Sequence, residues 1–289
     1  GSIRWGAGKA LTNVATDERA TYNHRIRLQG LTRGATYSVR ALASDGESTV
    51  HTDLTFVADQ KRPARCGVAR KQIALSINDA WDGQRPMWPI NGGVPIPEGE
   101  LSSAAKCRLL TAAGQPVAAQ FGELAHWPDG SVKWVLVTVV NPAGTEGYTL
   151  EYGSEVVPPP IPADGIRVAE TEDGLRITTD RLQVDLSRTH FSPPGVVWVD
   201  ANRDGRFSGA EQVVAQGEGL VLVDAQERRY TSTGAPATRL EVEEAGPVRT
   251  VVVAEGPLTG AAGKRLSYRC RLYFYRGFAA VPTVVSLLV

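Results

Sequence analysis

Residues 200–211 carry oxygen-bearing side chains at alternate positions of a twelve-residue segment. A hard cation such as Ca²⁺ binds about six to eight oxygen atoms at one point, and short polar side chains on a tight turn can supply them. Gly205 occupies the sixth position, where the chain must reverse sharply, and Glu211 occupies the twelfth, where both carboxylate oxygens can complete the coordination. The spacing predicts a Ca²⁺ site with the ligands Asp200, Asn202, Asp204, the main-chain carbonyl of Arg206, Ser208 and Glu211.

The segments on either side of this loop have the composition of strands. Val196–Val199 and Gln212–Val214 are rich in β-branched residues, and Trp198 adds an aromatic ring. The sequence therefore predicts a calcium loop between two strands and not the helix pair of an EF-hand. An Asp/Asn/Gly turn without a metal remains the alternative, because these residues also favour turns through local hydrogen bonds.

The other reactive side chains do not form a recognisable catalytic group. The four histidines lie in different segments, and none has the spacing to a Ser, an Asp or a metal ligand that nucleophilic or metal catalysis requires. No pair of carboxylates stands out as the acid and base of a glycosidase. We therefore assign no catalytic residue from the sequence.

Aromatic residues in turn-rich segments indicate a second kind of site. An exposed tryptophan ring flanked by polar groups suits the apolar face of a sugar. The competing interpretation is that such rings pack in the core, as is predicted for Trp134 and Trp198. The predicted carbohydrate-binding residues are Trp81, Trp88, His126 and Trp127.

The composition argues against a nucleic-acid-binding or membrane-spanning protein. Lys plus Arg and Asp plus Glu both number 31 among 289 residues, so the formal net charge is zero. No run approaches the ~18 apolar residues of a membrane-spanning helix. Three cysteines allow at most one disulfide, and Cys107 and Cys270 are predicted to be small buried residues. Abundant glycine and proline with few helical periodicities predict an all-β fold.

Three regions are predicted along the chain. Residues 1–58 alternate as strands, and Leu31 and Tyr37 have the spacing of a tyrosine corner in a Greek-key sandwich. This region resembles a partial fibronectin type III module without its first two strands. Residues 59–72 are polar and predict a linker. Residues 73–289 predict a larger β-domain, in which the Pro-rich segment 157–162 is an internal loop or a second domain boundary.

Five ordered segments of the larger domain resemble one known family. They are residues 92–101, 108–110, 120–134, 246–250 and 272–277. Together they are similar to the N-terminal RIFT-barrel-like β-domain of the exo-rhamnogalacturonan lyase / YetA-like family. The resemblance implies an exported bacterial polysaccharide-processing protein whose catalytic α-helical domain lies further downstream, and this implies no catalytic residue in the present chain.

The predicted function is that of a non-catalytic, Ca²⁺-stabilised accessory region of such a lyase-like protein, located outside the cell, in the periplasm or at the cell surface. Its predicted partners are a pectin-type or other uronate-containing polysaccharide and the remaining parts of the same protein or neighbouring subunits. One alternative is a structural subunit of a filament or surface layer that assembles by β-strand donation. A second alternative, an active lyase or hydrolase, requires a catalytic group that the sequence does not reveal.

Overall fold

Strands account for the regular structure of the described residues, apart from two single-turn 3₁₀ helices. The computed structural model describes residues 2–16, 28, 30–32, 34–44, 49–58, 67–77, 87–142, 147–160 and 165–288. Among them, no helix has the length and apolar character needed to cross a membrane. The chain divides into two compact units, Gly1–Arg62 and Pro63–Val289. The predicted all-β class is confirmed.

The first unit contains one antiparallel sheet. Its strands are β1 (Ser2–Ala7), β2 (Asn13–Thr16), β3 (Thr36–Ser44) and β4 (Thr49–Val57), in the order β2-β1-β3-β4. The Tyr37 hydroxyl accepts a hydrogen bond from the backbone N–H of Thr32 at 2.9 Å, which is the contact that a tyrosine corner makes. Residues 17–27 of this region lie outside the described part of the chain, and the fibronectin type III assignment stays a prediction.

The first half of the second unit consists of two antiparallel sheets around a common core. Its strands are β5 (Lys71–Ser76), β6 (Met87–Pro95), β7 (Cys107–Leu110), β8 (Pro116–Val117), β9 (Ala119–His126), β10 (Val132–Pro142) and β11 (Gly147–Tyr152). The sheet orders are β6-β10-β9 and β5-β11-β7-β8, and the 3₁₀ helix η1 (Ala104–Lys106) precedes β7. Leu109, Val135 and Leu150 are fully buried at the centre of the core.

The sequence also predicts two hairpins here, one around residues 113–115 and one that turns at residues 128–131, and both are present. β7 pairs with β8, and β9 pairs with β10 across the turn at 128–131, where Gly130 has φ 90°. The left-handed backbone at this position favours glycine, as the Asp-Gly pair of the sequence indicates. β5 begins at Lys71, two residues inside the predicted linker, whereas residues 59–66 of that linker lie outside the described part of the chain.

Trp134 is not the core residue that the sequence predicted, because 38% of it is exposed. The pairing of β10 with β9 shifts its register on both sides of Trp134, between Val132 and Trp134 and between Trp134 and Val135. An extra residue at a β-bulge can turn a side chain toward solvent that strict alternation would point into the core. Val132 and Val135 on either side of it are both fully buried.

The second half of this unit contains two further antiparallel sheets. The first sheet follows chain order with β12 (Arg167–Glu170), β13 (Gly174–Thr178), β14 (Leu182–Ser187), β15 (Val196–Val199) and β16 (Gln212–Val214). The second contains β17 (Val221–Val223), β18 (Arg229–Thr231), β19 (Arg239–Glu244), β20 (Arg249–Gly260), β21 (Gly263–Tyr275) and β22 (Thr283–Leu288). Its order is β17-β18-β20-β21-β22, with β19 also paired to β20.

The core of this second half is built from alternate residues of the two sheets. Ile177 and Val184 from the first sheet and Val252 and Leu272 from the second are all fully buried in one hydrophobic cluster. Side chains along a strand alternate between its faces, so every second residue meets the facing sheet. These two sheets therefore hold the loops at their ends in fixed positions, and the candidate site lies among those loops.

Cys107 and Cys270 are both fully buried, as predicted, and Cys66 lies outside the described residues. Burial raises the pKa of the Cys270 thiol to about 12. A thiol that stays protonated at neutral pH is a poor nucleophile, and Cys270 therefore acts as a small core residue.

Candidate functional site

The candidate calcium loop connects β15 to β16, which are antiparallel neighbours in the sheet. The 3₁₀ helix η2 (Gly209–Glu211) ends the loop. The predicted strand–loop–strand arrangement is thus confirmed, and the loop's two ends are held side by side by the sheet.

The carboxylate of Asp200 is the centre of the first half of the loop. Asp200 is only 2% exposed, and its two oxygens accept the backbone N–H groups of Asp204 at 3.1 Å and Gly205 at 2.9 Å. Its own N–H donates to the carbonyl of Arg181 at 3.0 Å, which fastens the loop to the turn between β13 and β14. In the described part of the chain no Lys, Arg or His forms an ion pair with Asp200.

The next turn of the loop is formed by short side chains that accept neighbouring N–H groups. Asn202 Oδ1 accepts from Asp204 N at 2.8 Å, and Asp204 Oδ1 accepts from Arg206 N at 2.8 Å. Arg203 and Gly205 have φ angles of 63° and 75°. Two residues with left-handed backbone conformation so close together produce the sharp reversal predicted at Gly205. Glycine is favoured there because it lacks a Cβ atom and adopts a positive φ without strain.

Glu211 closes the loop from its other end. Its Oε2 accepts the N–H of Ser208 at 2.9 Å and the Ser208 hydroxyl at 2.8 Å, while Oε1 accepts the N–H of Ala201 at 3.3 Å. The hydrogen bond from the Ser208 backbone is the main reason that the pKa of Glu211 lies below its usual range. The group therefore carries its negative charge at neutral pH.

Three carboxylates of the loop thus organise its backbone. Among the residues that the structure describes, no three His, Cys, Asp or Glu side chains converge as ligands of one metal. Asp200, Asp204 and Glu211 instead accept N–H groups of the loop, which uses only part of the roughly four lone-pair sites of a carboxylate. The all-oxygen donor set fits a hard cation in chemical type. Ca²⁺ binding stays a prediction.

A cavity of about 490 Å³ lies beside this loop. Asp200, Arg203, Gly205 and Phe207 form one wall of it. Met87 on β6 and Gly165 and Arg167 at the start of β12 also line it. The remaining lining residues are Thr179, Asp180 and Arg181 in the turn between β13 and β14, and Gly277 after β21. Its size is within the range of about 300–1,000 Å³ that is usual for small-molecule sites.

Buried hydrogen bonds fix the turn that carries Asp180 and Arg181. The Thr179 hydroxyl oxygen accepts the N–H groups of Arg181 at 3.0 Å and Leu182 at 2.9 Å. Asp180 Oδ1 accepts the N–H of Gly277 at 2.6 Å, and this bond ties the turn to the segment after β21. The cavity wall is therefore held from two directions before any ligand binds.

Two of the predicted carbohydrate-binding residues lie on the β9–β10 hairpin and are engaged locally. Trp127 Nε1 donates to the carbonyl of Ile96 at 2.8 Å, and Lys133 Nζ lies 4.4 Å from the centroid of its ring. His126 Nε2 lies 3.0 Å from Glu123 Oε2. These contacts orient both side chains, and carbohydrate binding by His126 and Trp127 stays a prediction.

Trp88 fits the predicted sugar-binding role better. It is 46% exposed, and its ring meets that of Phe278 edge-on with the centroids 5.6 Å apart. Both rings directly follow cavity-lining residues in the sequence, Met87 and Gly277. Trp81, the remaining candidate, lies outside the described residues.

The sequence did not point to the arginines of the cavity. Arg167, Arg181 and Arg203 come from three separate turns or strand ends, and Asp180 lines the same cavity. Arginine is common in this chain and none of the three belongs to a recognisable motif. Only the pairing of the strands brings them to one place.

The fold defines an all-β protein whose second unit contains two consecutive β-domains. Residues 82–153 match the model of the PcRGLX-like N-terminal RIFT barrel domain, and residues 166–289 match that of the PcRGLX-like protein central beta sandwich domain. The matches cover well over half of the chain, which belongs to the PcRGLX-like family. The family inferred from sequence is confirmed, but segments 246–250 and 272–277 fall within the central beta sandwich match and not within the RIFT barrel match. The two matches lie on either side of the Pro-rich segment 157–162.

A curated relative is similar over much of the same region. The chain is 26% identical over 212 residues to the "Uncharacterized protein YetA" of Bacillus subtilis (strain 168). The similarity covers 69% of this chain and 23% of that protein. The chain therefore spans about a quarter of the length of this relative.

Proposed function

We propose that this chain is the β-rich accessory region of an exported, rhamnogalacturonan-lyase-like protein, that it contacts a polysaccharide, and that Ca²⁺ bound by residues 200–211 stabilises it. The observation that carries the proposal is the match of two consecutive β-domains to PcRGLX-like proteins. The accessory role is supported by the sequence, in which no catalytic group is recognisable. Family membership favours this function over a structural subunit assembled by strand donation.

Glycan contact is proposed for the surface around Trp88. An exposed aromatic ring can pack on the C–H face of a sugar, and Trp88 is 46% exposed and follows the cavity-lining residue Met87 in the sequence. The rings of Trp88 and Phe278 hold each other edge-on, which fixes the orientation of Trp88 before binding.

The loop is proposed to bind Ca²⁺ in a structural role. All six predicted ligand positions carry oxygen donors, and the structure places the loop between paired strands. A cation would offset the mutual repulsion of the three loop carboxylates. No reaction step is assigned to it.

Polysaccharide binding is the direct test of the proposed function. Affinity electrophoresis and calorimetry would compare polygalacturonate with a neutral galactan as ligands of the purified chain. We expect retention by at least one of them and a loss of affinity of about five- to tenfold in Trp88→Ala, which corresponds to the loss of one aromatic contact. Trp134→Ala is the matched control, since Trp134 is also partly exposed at 38% but is not assigned to the site. Absence of binding to both polysaccharides would overturn the proposed glycan contact.

A further inference from the structure

The cavity beside the calcium loop contains three positively charged side chains without partners. Arg167, Arg181 and Arg203 line it, and none of the three guanidinium groups forms an ion pair or a hydrogen bond in the part of the chain that the structure describes. By contrast, other arginines of the same two sheets are paired, as Arg176 is with Asp185 and Arg271 with Glu243. Three arginines without partners thus line the same cavity.

Arg181 gives the most specific indication of a ligand. Its Nε is buried and finds no hydrogen-bond acceptor in the described residues. A buried donor without an acceptor is unfavourable, and a ligand oxygen in the cavity would satisfy it. The backbone of Arg181 is fixed by the Thr179 hydroxyl, so the guanidinium group is presented from a rigid turn.

The chemistry of the cavity selects the kind of anion. Guanidinium groups bind planar carboxylates through two parallel N–H···O bonds. Asp180 uses Oδ1 to accept the Gly277 N–H and keeps acceptor capacity for a ligand hydroxyl. Phe207 adds an aromatic wall, and the volume of about 490 Å³ exceeds what a small inorganic anion needs.

We propose that this cavity is a binding site for the carboxylate of an acidic sugar, with Arg167, Arg181 and Arg203 as the recognising cations and Asp180 as an acceptor for a sugar hydroxyl. The inference rests on the proposed function and assigns to its predicted uronate-containing partner a binding site with named recognising residues. Trp88 and Phe278, whose rings are in contact, each follow a lining residue in the sequence, and we expect a longer saccharide bound in the cavity to reach this ring pair.

Calorimetric titration with three probes tests the proposal. The probes are trigalacturonate, the methyl ester of the same trisaccharide, and inorganic phosphate. We expect trigalacturonate to bind at least ~10-fold more tightly than the other two, because only it combines carboxylates with sugar hydroxyls. The affinity for trigalacturonate should fall by about tenfold in each of Arg167→Gln, Arg181→Gln and Arg203→Gln, because each variant loses about one charge-assisted hydrogen bond.

Two further variants serve as controls. Arg265 is an exposed arginine of β21 that also lacks a partner in the described residues but does not line the cavity. The variant Arg265→Gln should therefore bind trigalacturonate like the unmodified chain. Arg181→Lys keeps the charge but loses the two-pronged geometry, and it should bind more weakly. Melting temperatures of all variants establish that they are folded.

The outcomes separate this proposal from the proposed function. If the three cavity variants bind trigalacturonate as tightly as Arg265→Gln does, the cavity site is overturned but glycan contact is not. Phosphate binding as tight as that of trigalacturonate would show a general anion site and overturn the sugar assignment. Binding of the ester as tight as that of the acid would overturn carboxylate recognition. Failure of trigalacturonate to bind would overturn the cavity site, whereas the proposed function would still be judged by the polysaccharide assay.

Discussion

Asp200 is a buried carboxylate that forms no ion pair with a Lys, Arg or His among the described residues. It is 2% exposed, and its hydrogen bonds come only from backbone N–H groups of its own loop. Burying a carboxylate is costly unless hydrogen bonds or an opposite charge offset the loss of water. The loop supplies the hydrogen bonds, and the proposed Ca²⁺ would supply the charge.

Ca²⁺ is therefore expected to stabilise the folded chain. For a dissociation constant near ~10⁻⁴ M, typical of weaker extracellular sites, 10 mM CaCl₂ would add about 2.7 kcal/mol to the free energy of unfolding. For a chain of this size that corresponds to a rise of several degrees in melting temperature over the value in EGTA. Scanning calorimetry with and without CaCl₂ measures the difference.

The carboxylate at the twelfth position provides the specific variant for this test. Glu211→Gln should lose most of the Ca²⁺-dependent rise, because one charged ligand becomes a neutral amide. Glu170→Gln removes the charge of an exposed glutamate on β12 and should retain the rise. If CaCl₂ leaves the melting temperature of the unmodified chain unchanged, residues 200–211 are a turn without a metal.

At the level of elements, the sequence predicted local features better than features that depend on the pairing of distant strands. The β9–β10 hairpin and the strands that flank residues 200–211 follow from short patterns of turn and β-branched residues, and the structure contains them. The exposure of Trp134 depends on a bulge whose register is set by β9, and no local pattern in β10 encodes it. The arginine cavity was not predictable either, since its residues are brought together by the pairing of distant strands.

Cross-strand pairing around Glu151 is another assembled feature, and it makes the stability depend on pH. Glu151 on β11 is directly opposite Gln72 on β5 and Arg108 on β7, and it bonds to both, at 2.9 and 2.5 Å. Burial acts to raise the pKa of Glu151, but the hydrogen bonds from Gln72 and Arg108 outweigh it and leave the pKa below its usual range. The folded chain therefore binds the proton at Glu151 less readily than the unfolded chain does.

The contribution of Glu151 should be fully present above the pKa of an unfolded glutamate, about 4.3, and should be lost as the pH falls through the lower folded value. Glu151→Gln should reduce the free energy of unfolding by about 1–3 kcal/mol at pH 7 and should flatten its decline in acid. Urea denaturation between pH 7 and pH 3 measures both effects. Glu170→Gln, which changes an exposed glutamate, should follow the unmodified chain. An equally steep decline in Glu151→Gln would contradict this assignment.

At the scale of the whole second unit, one polar network joins the two family-matched regions. Arg249 on β20 is 7% exposed, and it donates to Asn91 Oδ1 on β6 at 2.6 Å and to both carboxylate oxygens of Glu244 on β19. Gln120 on β9 donates to Glu244 Oε1 at 2.6 Å and accepts the Arg249 N–H at 2.9 Å. Each region thus satisfies polar groups of the other, and neither is expected to unfold without exposing them.

Replacement of Arg249 by methionine tests whether this network makes the two regions unfold together. Arg249→Met keeps most of the side-chain volume but leaves Asn91 and Glu244 without their shared donor, so the free energy of unfolding should fall by about 1–3 kcal/mol. Because the lost bonds join two regions, the calorimetric transition of the second unit should broaden or split in two. Arg176→Met is the matched control, since it breaks only an exposed ion pair with Asp185 inside one sheet and should cost at most about 1 kcal/mol without changing the shape of the transition. A single, equally sharp transition in Arg249→Met would show that apolar contacts between the regions suffice for their joint unfolding.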